Sequence, residues 1–180
     1  MRTIKILDDK NYEPHWKKYK RDSARAIIFR GNKLAMVQSE KYGECKFPGG
    51  GVKTNESFMD AAIREVLEET GLHVLPGSLV EYGKTIILRK DTNGDGIFEQ
   101  VCRYYTCDVD LENCSSPKLD DGYETEYGYK LTYVSPDEAI EANEKLLNKQ
   151  DIPYAIRLWT KRDLAVLYEL KNMGHDNVQR

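Results

Sequence analysis

The sequence predicts an α/β fold in which a mixed β-sheet is covered by helices. Two observations lead there. Short runs of β-branched and apolar residues pair up across turn residues, as antiparallel hairpins do, and amphipathic helical stretches are interspersed among them. A third sets the scale: 180 residues, 40% hydrophobic and 32% charged, suffice for one compact domain whose core needs no disulfide or metal staple.

Residues 1–22 read as a polar N-terminal segment. It carries a basic-aromatic run, His15-Trp16-Lys17-Lys18-Tyr19-Lys20-Arg21, of the kind that touches phosphate or bases, or lies solvated around one anchoring Trp. A single domain follows over 23–172, with a polar tail at 173–180. Ala24–Arg30 and Lys33–Ser39 are strand-like, and Gly31-Asn32 between them is a two-residue hairpin signal. The loop Glu40–Lys46 leads to Phe47-Pro48-Gly49-Gly50-Gly51, where proline and three glycines stop regular structure and let backbone approach a ligand. Ser57–Thr70 reads as a helix stopped by Gly71, with Met59, Ala62, Ile63, Val66 and Leu67 on one side. Leu79–Tyr82, Thr85–Leu88 and Glu99–Cys107 are strand candidates, with a turn at Asp91–Gly96 before the last. Asp110–Asp121 is a polar loop and Tyr129–Val134 a strand. Ser135-Pro136-Asp137-Glu138 opens a helix: Ser caps, Pro fits the first turn and Glu takes the reciprocal capping position. Pro153–Leu170 is a final amphipathic helix.

Composition excludes several classes. The net charge is −3 and the pI about 5.7 with a mean hydropathy of −0.66, which disfavours a generally basic nucleic-acid binder. Apolar stretches as short as Ala26–Phe29 exclude a membrane-spanning helix. The N-terminus lacks the apolar core of a signal peptide, so the cytoplasm is the expected compartment. Cys45, Cys102, Cys107 and Cys114 form no C-x-x-C pair and read as reduced thiols. His15, His73 and His175 are too scattered for a zinc site.

The stretch from Gly50 to Leu72 is the most informative. Glu65, Glu68 and Glu69 stand at i, i+3 and i+4 and share an arc of the helix next to Ala62. Three like charges so close repel and need compensation. Arg64 pairs with Glu68 at i+4 but cannot neutralise three carboxylates, whereas a hard divalent cation can. Mg²⁺ prefers oxygen ligands and keeps waters for substrate phosphates. Glu56 adds a carboxylate just before the helix, and the glycine turn adds backbone groups. Alone, an acidic helix face is an ordinary solvated surface; its spacing from the glycines distinguishes this one.

That spacing resembles a known family. Gly50, five residues, Glu56, seven residues, then Arg64-Glu65-Val66-Leu67-Glu68-Glu69-Thr70-Gly71-Leu72 matches the Nudix (MutT-like) box at all seven fixed and both aliphatic positions. From residue frequencies alone, a chance match is rarer than about one in a million. Phe47-Pro48-Gly49 is similar to the usual lead-in. The resemblance implies an α/β/α sandwich with the mixed sheet between helices, and hydrolysis of nucleoside diphosphates linked to another moiety, with Mg²⁺ or Mn²⁺. It implies metal ligation by Glu65, Glu68 and Glu69 and by the Gly49 carbonyl, with Glu56 supporting the metal and Arg64 orienting the glutamates. The implied substrates are ADP-ribose, another nucleotide sugar, or a non-standard nucleoside triphosphate, with water attacking phosphorus. The other readings are a nucleotide-sensing module without turnover and an RNA 5′-end pyrophosphohydrolase. Dimers are frequent in the family, and residues 1–22 could reach a neighbouring subunit.

Outside the box, family members often draw a further carboxylate from a later loop. Glu124 and Glu126 are the candidates; Glu126, nearer the Tyr129–Val134 strand, is preferred as a catalytic group. Arg25 on the first strand candidate, with Gly50 and Gly51, is expected to contact substrate phosphates. The tyrosines at 104, 105, 123, 127, 129 and 133 read mainly as sheet packing. Asp91–Gly96 imitates the start of a calcium loop, but its twelfth position is Cys102 rather than a bidentate Glu.

Overall fold

The computed structural model of the chain describes residues 1–118 and 122–173, without the side chains of Tyr123 and Glu124. Residues 174–180 of the expected tail, the end of the expected 110–121 loop and the side chain of Glu124 therefore lie outside the described residues. The N-terminal segment contributes β1 (Thr3–Asp8) and β2 (Lys18–Lys20). Next come β3 (Ser23–Ile27), β4 (Phe29–Arg30), β5 (Lys33–Ser39), β6 (Cys45–Lys46) and β7 (Gly49–Gly51). Helix α1 (Phe58–Thr70) precedes β8 (Leu72–Val74), β9 (Val80–Lys90), β10 (Ile97–Thr106) and β11 (Val109–Cys114). The chain continues through α2 (Gly122–Tyr127), β12 (Tyr129–Val134), α3 (Pro136–Leu147) and α4 (Tyr154–Met173).

The main sheet is mixed and runs β1-β9-β10-β3-β7, with β2 added alongside β10. β9 and β10 are antiparallel; β1 joins β9, and β2 and β3 join β10, in parallel. A second sheet runs β12-β5-β4 with β6 on β5, and β8 pairs with β11. The two faces of β3 explain the layering. Ala24, Ala26 and Ile28 pack toward α1, in clusters with Ala62 and Val66. Ile27 packs on the opposite side with Tyr104, with Ala139 and Ile140 of α3 and with Leu164 and Leu167 of α4. The result is the expected sheet between helices.

Most elements follow their local signals. The Gly31-Asn32 turn closes the β4–β5 hairpin, pairing Phe29 with Leu34. The β3 backbone leaves that hairpin for the main sheet. Ser57 caps α1 by accepting from the Asp60 amide, and Gly71 ends it at φ 73. A side chain at Gly71 would collide with the Ser115 carbonyl. Ser135 and Glu138 complete a reciprocal capping box on α3. The Asp91–Gly96 segment is a hairpin turn closed by the Asp91 amide on Gly96 (2.7 Å), and Cys102 is fully buried.

Several expectations change. The predicted apolar side of α1 is only half right: Ala62 and Val66 are buried, but Met59, Ile63 and Leu67 are 43%, 40% and 36% exposed. The helix is rotated so that Glu69 faces inward. Leu79–Tyr82 and Thr85–Leu88 belong to one strand, because Gly83 sits beside Ile4 of β1 and does not break it. Residues 1–22 are woven into the main sheet, and the basic run is engaged there: Lys18 and Lys20 pair with Glu99 (2.8 and 3.7 Å), and Lys90 lies over the Trp16 ring.

Candidate functional site

The box begins on β7, an edge strand held by antiparallel pairing of Gly49 with Arg25 and of Gly50 with Ala24. The loop after it carries Glu56 back toward α1, where Arg64 sits at the centre of an ion-pair cluster. A guanidinium has five N–H donors, and all five are used. Nε donates to Glu56 Oε1 (2.7 Å) and Nη2 to Glu56 Oε2 (3.0 Å). Nη1 donates to Glu65 Oε1 (2.6 Å) and to Glu68 Oε2 (2.8 Å), and the remaining Nη2 bond goes to the Gly51 carbonyl (3.0 Å). Arg64 therefore ties three carboxylates to the glycine strand. Glu56 also accepts from the Lys53 amide (2.8 Å), which closes its loop.

The electrostatics follow from these bonds. The Arg64 hydrogen bonds push the Glu56 carboxyl down to about 2. Burial pushes Glu65 the other way, above the usual carboxylate range, against its bond to Arg64. Gly50 lies directly against Glu65, and a Cβ there would overlap the carboxylate. The glycine is required because carboxylate and backbone meet at this point.

Glu69 lies apart from the Arg64 cluster. Its carboxylate is buried; Oε2 accepts from the Gly49 amide (2.7 Å) and Oε1 from the Lys46 ammonium (3.0 Å). Lys46 also lies over the Tyr129 ring at 3.9 Å. Both oxygens of Glu69 thus hold the glycine turn in place. Glu126 differs too. It is exposed on α2 and pairs with Lys41 at 2.5 Å, and among the described residues no contact joins it to the box carboxylates. The helical turn before β12 carries it to the Ser39–Gly43 bend, beside which Tyr127 and Gly128 accept from Lys41 and Glu40.

Among the described residues, no three acidic, His or Cys side chains form a ready-made metal cage; the cluster converges on the guanidinium. The donor set nevertheless fits a hard dication in kind and in charge. It is all oxygen, and three carboxylates against one guanidinium leave two negative charges. Glu65 and Glu68 each give Arg64 one oxygen, so each has a second to offer.

Beyond the glycine strand, a cavity of about 380 Å³ opens between the main sheet and α4. Gly50 and Gly51 form part of its wall, and Arg25 part of its floor. Arg25 is buried and donates Nη1 to the Phe47 carbonyl (2.5 Å). Arg162 of α4 lines the same space. Its Nε and Nη2 bind both oxygens of Asp163 (2.9 and 3.1 Å), and Tyr104 donates to Asp163 Oδ1 (2.8 Å). Burial opposes ionisation of Asp163, but the Arg162 and Arg25 charges outweigh it and hold the carboxyl below its usual range. This network went unread in the sequence. Its signal was present, since Asp163 falls on the α4 stripe of Ile156, Thr160, Leu167 and Leu170, all buried.

The NUDIX domain model matches residues 19–156. A Lactococcus lactis subsp. cremoris protein named "Probable DHNTP pyrophosphohydrolase" is 28% identical over 123 residues, 66% of this chain and 74% of its own. The crystal structure of the mutator MutT protein from Bacillus halodurans superposes with a TM-score of 0.51 at 20% identity, over 68% of this chain and 72% of that one. A NUDIX hydrolase from Nitrosomonas europaea gives 0.47 at 22% identity, over 80% and 88%.

Proposed function

Since this chain belongs to the NUDIX family, a family of hydrolases acting on pyrophosphate bonds, we propose that its Arg64-centred cluster is a Mg²⁺-dependent active site. The reaction is attack of water on a phosphorus of a nucleoside-diphosphate derivative. The observation that carries this reading is the excess of two negative charges on Glu56, Glu65 and Glu68, packed around Arg64 against Gly50 and Gly51. When bound, a dication neutralises the phosphate oxygens and lowers the pKa of a coordinated water. Glu65 and Glu68 supply its side-chain oxygens and the Gly49 carbonyl a backbone one. Glu56 anchors Arg64, and Arg64 aims Glu65 and Glu68. Glu69 holds Gly49 and Lys46 so that the turn keeps its shape. Arg25, Gly50 and Gly51 face the substrate from the cavity side.

The relative's name makes DHNTP a substrate to test, beside ADP-ribose, nucleotide sugars and non-standard triphosphates. A sensor without turnover is disfavoured because every box residue is intact. The RNA-end reading rests on the basic run at 15–21, of which Lys18 and Lys20 share the Glu99 carboxylate. The test is Glu68→Gln with a substrate panel in ¹⁸O-water. We expect kcat to fall about a hundredfold or more with the fold intact and the label to enter one phosphate-bearing product. A near-normal rate would remove Glu68 from the site.

A further inference from the structure

We infer that Glu44 and Tyr129 are positioning residues for the glycine turn: acting through Lys46 and Glu69, they fix the Gly49 backbone, whose carbonyl serves the metal. The inference rests on the active-site reading above for what Gly49 does, but not for the chain of contacts that reaches it.

The chain can be followed link by link. Tyr129 of β12 lies opposite Ser39 of β5, and the Ser39 amide donates to the Glu44 carbonyl (3.1 Å). Residues 129, 39 and 44 therefore form one row across neighbouring strands. Glu44 and Lys46, two apart along extended chain, project to the same side. In that row the Tyr129 hydroxyl donates to Glu44 Oε1. The Lys46 ammonium sits 3.9 Å from the centre of the Tyr129 ring and donates to Glu69 Oε1 (3.0 Å). Glu69 Oε2 in turn accepts from the Gly49 amide (2.7 Å). All four side chains are buried.

Glu44 is the member that packing does not explain. Its Oε2 is buried without a hydrogen bond, and Ser39 Oγ is committed elsewhere, to the Tyr127 carbonyl and the Tyr42 amide. Burial pushes the Glu44 carboxyl above its usual range, while the Tyr129 bond and the Lys46 charge oppose that. Burying a carboxylate with one oxygen unanswered costs stability. A buried ionic chain also holds a fold no better than apolar side chains of the same volume. What the chain supplies is direction. A phenol that donates to a carboxylate carries more electron density on its ring, which tightens its hold on the ammonium over its face. Lys46, so held, is a fixed partner for Glu69, and Glu69 fixes Gly49. With the hold weakened, Lys46 follows Glu69 instead of restraining it.

The test begins with NMR of the Gly49 amide in EDTA. Glu44→Gln keeps an acceptor for the phenol and removes the charge. It is expected to shift the Gly49 resonance, and to shift it far less in a Glu69→Gln background, where the last link has lost its charge. Repacking around β6 alone would move the resonance equally in both. Mg²⁺ titrated by itself into the substrate-free protein should then bind Glu44→Gln roughly three- to tenfold more weakly than wild type, the loss of part of a desolvated cation–π contact. Should Glu44→Gln fail to fold, Tyr129→Phe, which keeps the ring, is expected to give the same two results. An unmoved Gly49 resonance in the folded variant, equal shifts in the two backgrounds, or an unchanged Mg²⁺ affinity would overturn the inference. Absence of any Mg²⁺ response at Gly49 in the wild type would sink the active-site reading instead, leaving a Glu69-dependent shift in EDTA standing, so the two can fail separately.

Discussion

Glu69→Gln separates two roles for a box carboxylate. As a metal ligand, Glu69 would be one of several repelling charges in the metal-free protein, and neutralising it would leave stability unchanged or raise it. In the structure it pairs with Lys46, the two side chains being 2% and 6% exposed. Gln keeps an acceptor for the Gly49 amide but leaves the Lys46 ammonium without its carboxylate. Removing one partner of a buried pair costs about 3–5 kcal/mol; the retained acceptor and the Tyr129 ring over Lys46 favour the lower end, about 3 kcal/mol. For a chain of this size each kcal/mol moves Tm by about 2–4 °C, so Tm should fall by about 6–12 °C. The assay is calorimetry in EDTA, with Glu68→Gln as the control that should not destabilise. An unchanged Tm for Glu69→Gln in EDTA, with loss of only the stabilisation that Mg²⁺ adds, would refute the pairing role and return Glu69 to the metal.

Gly50→Ala should fold, because β7 is an edge strand, yet lose most activity as its methyl displaces the Glu65 carboxylate; wild-type kcat in this variant would contradict the close approach. The hydrogen bond from Lys18 holds the Glu99 carboxyl below its usual range despite partial burial. A depressed folded pKa contributes stability above the ordinary value of 4.5 that is lost as pH falls through the folded value. The protection factors of the Lys18–Lys20 amides, corrected for the slower intrinsic exchange at low pH, should therefore drop before those of α1; a simultaneous loss would argue against local anchoring. Burial pushes the Cys45 and Cys107 thiols up to about 12, and Cys102 is buried while Cys114 is exposed. A thiol reagent should titrate one cysteine in the native protein and all four after denaturation.

What could be read before the structure was local. Capping at Ser57 and Ser135, the Gly71 stop and the Gly31-Asn32 turn depend on residues within one helical turn of each other, and each formed where expected. The β8–β11 ladder was missed because its pairing joins segments far apart in sequence, and β11 is largely exposed and lacks an apolar alternation. The strands within residues 1–22 were missed for the same reason, since they complete parallel pairings with β9 and β10 that no short-range signal encodes.

By itself the sequence determined the chemistry on offer: a glycine turn, one arginine and four glutamates at spacings that place them on one loop and one helix. Helical geometry is local, so residue spacing suffices to predict which side chains are neighbours. Only the tertiary structure decided how the charges divide. Packing α1 against β3 and β7 turned Glu69 inward to Lys46 and left Glu56, Glu65 and Glu68 around Arg64. Laying α4 over the sheet brought Arg162 to the cavity that Arg25 lines. Charges interact through space, and which of them meet is settled by chain packing rather than by separation along the sequence.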